Sequence, residues 1–218
     1  MTTITPAEAV TLVRKNLDEL DPNGSVMYDT DNDHGDNASL DETIKRMLPE
    51  AINDVHLSAP VQLLEGVTAT IEEGAAIEDG ILSFSLSADS KYIRLVAFKA
   101  ADSDIVVTDT IPEASPEGRK QLNKYIRGRH DRPRLVLLQG KQTGPQFKYY
   151  TISQDIEPSS AIARFEYVQE QFYASDALSY PISRRLRQNI IDCLTAKVLE
   201  TYSDQRAQSF YEKASNFQ

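Results

Sequence analysis

Two clusters of charge could do chemistry. Asp29, Asp31 and Asp33 stand at the alternating spacing that opens a calcium loop, where successive carboxylates ligate one hard cation. Such a loop needs glycine at its sixth position and a bidentate glutamate at its twelfth. His34 and Leu40 hold those places, and Gly35 comes one residue late. An acidic, solvated loop leading into a capped helix is the leading reading; a calcium-dependent binding or adhesion module built on loop 29–37 is the alternative. Between 119 and 134 lie Arg119, Lys120, Lys124, Arg127, Arg129, Arg132 and Arg134, with Asp131 as the single acid. A cationic ridge of this density suits an acidic protein surface or DNA phosphate, and a solvated helix face is the plain alternative.

Arg184, Arg185 and Arg187 fall where the periodicity places the first turn of a long helix, an end whose macrodipole disfavours cations. Solvent screening would hold that cost to about a few tenths of a kcal/mol; docking of acidic groups on a partner is the functional reading. Cys193, inside an apolar stripe, reads as a packed thiol, and His56 as a satisfied histidine at a helix end. The three histidines, 34, 56 and 130, are scattered. No Gly-rich phosphate loop, Gly-x-Ser-x-Gly elbow or His-Glu-x-x-His run occurs, and nothing sets a nucleophile beside a base. The expectation is a non-enzyme without cofactor or metal.

The elements that must position these residues change type along the chain. Thr5-Pro6 caps a helix carrying Ala7, Val10, Val13 and Leu17, ended by Asp21-Pro22-Asn23-Gly24. Ser39-x-x-Glu42 reads as a capping box opening a second helix with Leu40, Ile44, Leu48, Ala51, Ile52 and Val55 on its apolar face. Pro49 is expected to kink or restart it. Strand-like runs follow at 67–71, 81–86, 92–98, 105–108, 135–139 and 147–152, with a short helix after Ser115-Pro116. Ile182, Leu186, Ile190, Leu194, Val198 and Tyr202 then step by four, and a last helix over 205–216 carries Phe210 and Tyr211. The predicted fold class is α+β: a helical bundle formed by the N- and C-terminal helices, with a small antiparallel β-rich domain, sandwich or barrel-like, inserted between them. The predicted boundaries are 1–64, 65–158 and 159–218.

With 218 residues, 40% hydrophobic and 26% charged, the chain can bury a core. Its net charge of −10 opposes broad nucleic-acid binding. The charge is uneven: residues 1–80 hold 17 acids and 4 bases, and residues 81–218 hold 16 acids and 19 bases. No apolar run is long enough for a membrane span, Met1–Pro6 lacks the basic start and apolar run of a signal peptide, and a single cysteine suits a reducing cytosol.

Three stretches carry a likeness to a known family. The first is Leu40-Asp41-Glu42-Thr43-Ile44-Lys45-Arg46-Met47-Leu48-Pro49-Glu50-Ala51-Ile52-Asn53-Asp54-Val55. The second runs from Leu86-Ser87-Ala88-Asp89-Ser90-Lys91-Tyr92-Ile93-Arg94-Leu95 to Asn123-Lys124-Tyr125-Ile126-Arg127-Gly128, then Arg132-Pro133 and Lys148-Tyr149-Tyr150. The third is Leu194 to Phe217. Together they resemble the head-to-tail connector (tail adaptor) proteins of tailed bacteriophages, including the neck ring proteins of crAss-like phages. Ser87 stands where that family usually has proline, and loop 29–37 has no counterpart in it. The resemblance implies a virion structural protein of the neck and tail region, assembled in the host cytoplasm. About twelve copies would form a ring beneath the portal protein and present a platform to the next neck or tail protein. It also implies that the closing helix and tail, with Phe210, Tyr211 and Phe217, reach the portal. An acidic channel wall would let DNA slide past without sequence-specific binding, and no membrane is involved. The acidic N-terminal segment and the basic ridge are expected to be complementary faces of neighbouring subunits.

Overall fold

A computed structural model of the chain describes residues 2–17, 34–69, 71, 74–138 and 144–217. It divides into two compact units, Met1–Leu64 with Gln171–Gln218, and Glu65–Glu170. In the first unit, Thr2–Ile4 forms strand β1 and Pro6–Asn16 forms helix α1. The Thr5 hydroxyl accepts the Glu8 N–H at 3.2 Å, and Pro6 takes the first helical position, where a missing N–H costs nothing. Helix α2 spans His34–Ser58. It begins before Ser39, so the expected capping box is not its start. It also continues through Pro49 as one helix, giving up the single backbone donor that proline lacks.

The second unit is built from two sheets. Its elements in chain order are β2 (Val67–Thr68), β3 (Ala76–Glu78), β4 (Ile81–Ser85), β5 (Tyr92–Ala100), β6 (Ile111–Pro112), α3 (Pro116–Lys120), β7 (Leu135–Leu138), β8 (Gln146–Tyr150) and β9 (Ile162–Gln169). One sheet has the order β2-β9-β5 and the other β3-β4-β8-β7-β6. Along β4 burial alternates, with Leu82 and Phe84 turned inward as the period-2 pattern requires. Both sheets contribute to one aromatic core. Phe84 and Phe147 stack at 5.3 Å, Phe165 meets Phe147 edge-on at 5.2 Å, and Phe98 lies 4.9 Å from Tyr149. Offset and edge-to-face pairs of this kind add about 0.5–1.5 kcal/mol each beyond their area.

The chain returns to the first unit with β10 (Tyr180–Ile182), α4 (Arg187–Thr201) and α5 (Ala207–Ala214). Strand β10 pairs antiparallel with β1, Ile4 opposite Tyr180, both side chains buried. Polar contacts fix the helices. Arg14, nearly buried, binds Asp41 at 2.8 Å, and Lys197 binds Glu50 and Asp54 at 2.8 and 2.7 Å. The Asn16 amide donates to Thr195 at 3.1 Å. The buried Asn189 amide donates to the carbonyls of Ala214 and Asn216, satisfying groups that the end of α5 leaves open.

The expected helical bundle with one antiparallel insertion is therefore corrected. The described residues form a mixed α+β protein with five α-helices and three sheets, and outside the helices they are strand and loop. The termini meet in a two-stranded sheet as well as in helices. The second unit is not wholly antiparallel, since β6 pairs with β7 in parallel. Residues 159–170, grouped from sequence with the closing helices, instead supply β9, the middle strand of its sheet. The run 105–108 contributes only the bridge of Val107 to Phe98.

Candidate functional site

The basic residues 119–134 sit on a short, internally tied segment of the second unit. Pro112 and Ser115 open it: the Ser115 hydroxyl donates to the Pro112 carbonyl at 2.7 Å and accepts the Gly118 N–H at 3.0 Å, capping α3. Gly118 is needed for contact, because a Cβ there would lie 2.2 Å from the Pro112 carbonyl oxygen. Gln121, 7% exposed, then clamps the segment from inside. Its Nε2 donates to the Glu117 carbonyl at 3.1 Å, and its Oε1 accepts the Gly128 N–H at 2.7 Å. Backbone N–H groups of Ile126 and Arg127 return to the Asn123 carbonyl at 3.1 and 2.9 Å, and Arg129 and Arg132 exchange backbone hydrogen bonds at 3.1 and 2.9 Å.

Three further contacts hold the segment to its unit. The Arg127 guanidinium donates to the Asp79 carbonyl at 3.0 Å, the Thr151 hydroxyl donates to the Gly128 carbonyl, and His130 Nε2 lies 2.8 Å from the Asp102 carbonyl. Beneath them burial raises the Tyr150 hydroxyl above the usual phenol range; Glu113 adds to the shift and Arg127 opposes it. Arg127 is thus a structural cation as well as a surface one.

What this scaffold turns outward is mixed in character. Leu122 is 71% exposed, Tyr125 73% and Ile126 57%, while Arg119, Lys120, Lys124, Arg129, Arg132 and Arg134 are also exposed. The Lys124 ammonium lies 5.3 Å from the centre of the Tyr125 ring. Leaving such side chains in water forgoes roughly 1.5–3 kcal/mol each relative to full burial. Large exposed apolar groups interleaved with cations, on a pre-ordered backbone, suit a protein–protein contact centre. Sequence reading found the cations and missed Leu122, Tyr125 and Ile126. Their signal was the apolar interleaving of Leu122-Asn123-Lys124-Tyr125-Ile126 among the bases.

The remaining predicted residues fall in the first unit. Arg184 and Arg185 are exposed on a 3-10 turn before α4, not in its first turn. Arg187 does begin α4, and the Glu8 carboxylate pairs with it, so an acid does stand at that helix start. The Lys213 ammonium sits 4.4 Å from the Phe210 ring centre. Tyr211 donates to Glu200 at 2.6 Å, and burial with that bond pushes its hydroxyl up to about 12. Phe217 is half-buried. Cys193, 5% exposed, is a core thiol pushed up to about 11 by burial. Asp29, Asp31 and Asp33 lie outside the described residues. Among the described residues no three His, Cys, Asp or Glu side chains gather as a metal site, and no helix is long and apolar enough to cross a membrane.

No model of a known protein family matches the chain, and no curated protein matches it. What its surface can do follows from the chemistry of residues 115–134.

Proposed function

We propose that this chain is a structural subunit of a tailed-phage virion, a head-to-tail connector. Its copies would form a ring beneath the portal, lengthen the DNA channel and present a platform to the next tail component. The observation that carries this reading is the exposure of Leu122, Tyr125 and Ile126 amid six exposed cations on a segment whose own polar interior is satisfied. Such a surface suits protein contact. The acidic balance of the chain suits a channel wall that repels phosphate, and the likeness of most of residues 40–217 to connector proteins supports that assembly.

Sedimentation of a lysate of the native source, followed with an antibody, tests the proposal. The expected result is co-migration with virion-sized particles and a portal-sized protein. A species of 24.4 kDa that never enters a particle would overturn it.

A further inference from the structure

Resting on the ring-subunit reading, we infer that the tip formed by Leu122, Tyr125 and Ile126 of one copy docks on an acidic surface of a second copy and makes the head-to-tail contact that closes the ring. Three observations favour this occupant. The tip exposes apolar side chains beside its cations, and contact with phosphate alone would leave Leu122 and Ile126 in water. The rim is cationic: residues 119–134 hold seven bases and one acid, and the rest of the chain holds 32 acids and 16 bases. A second copy therefore carries the complementary charge, and a tip meeting an acidic face is a contact between two different surfaces, the kind that generates rings.

The segment is also ordered before contact. The Gln121 clamp, the Asn123 turn and the paired Arg129 and Arg132 leave little backbone freedom to lose on docking. Asp41, Glu50 and Asp54 are already engaged by Arg14 and Lys197, so the acceptor draws on other acids of the neighbour. Lys120 and Lys124 are exposed rim cations flanking Leu122 in sequence, whereas Arg127 is held by the Asp79 carbonyl.

The test places a benzophenone amino acid at position 125 of the full chain, whose exposed Tyr125 side chain can be replaced without disturbing the core. Purified protein is irradiated at concentrations bracketing its self-association, with sedimentation run in parallel. The expected result is a covalent dimer whose cross-linked peptide belongs to a second copy. Leu122→Asp and the double change Lys120→Glu with Lys124→Glu should each weaken self-association about tenfold, the charge change losing its effect as salt screens the rim. Oligomers that form without a cross-link from position 125 would overturn the docking and leave the connector reading standing. Preferential cross-linking to added DNA would overturn it in favour of phosphate binding. A chain that stays monomeric throughout would overturn it too, while particle association in the lysate would still decide the connector reading separately.

Discussion

His56 shows how burial outweighs a favourable helix end. It lies in the last turn of α2, where the macrodipole would stabilise an imidazolium by about 0.3–1 kcal/mol. Burial works the other way and lowers its pKa from 6.5 to about 4. The unfolded chain therefore takes up this proton near pH 6.5 and the folded chain only near pH 4. Between those values the unfolded state holds more protons, so acid favours unfolding. Stability that is complete above pH 6.5 should fall by about 2 kcal/mol at pH 5 through this one group. Urea titrations at pH 7 and pH 5 check the size, and His56→Leu should remove most of the difference. An unchanged difference in that variant would assign the acid sensitivity elsewhere.

Segment 115–134 separates residues that hold an element together from residues it displays. Gly118→Ala forces a Cβ against the Pro112 carbonyl, and Gln121→Ala strands the Gly128 N–H; each should cost about 1–3 kcal/mol. Leu122→Ala and Tyr125→Ala, at exposed positions, should stay within about 0.5 kcal/mol of the parent. Denaturant melts of the four variants make the comparison, and a large cost at Leu122 or Tyr125 would mean that they serve folding instead of contact. At this scale the sequence was partly readable. Ser115-Pro116 announced α3 through local capping chemistry, and Thr5-Pro6 announced α1 in the same way. Strand β9 was legible and missed: Arg164-Phe165-Glu166-Tyr167 alternates polar and apolar, with Phe165 and Tyr167 buried and Arg164 paired with Glu166 at 2.7 Å on the other face. Strands β1 and β10 have three residues each and are specified by a partner far along the chain.

Across the whole molecule the two units differ in how the chain builds them. The first needs both termini, since β1 pairs with β10 and Lys197 of α4 binds two acids of α2. The second is continuous, Glu65–Glu170, and all seven rings of its aromatic cluster fall inside it. A contiguous stretch with its own core has what independent folding requires. Residues 65–170 expressed alone should therefore melt cooperatively and keep the near-ultraviolet dichroism of packed tyrosine and phenylalanine. Phe165 touches four of the other rings, so Phe165→Ala should cost this fragment about 3–5 kcal/mol through lost packing and the cavity left behind. The same change should cost the full chain a similar amount, because the four rings that Phe165 touches all belong to its own unit. A fragment that shows no cooperative transition would mean that the second unit depends on the first for its stability, and that the division between them describes contacts and not folding.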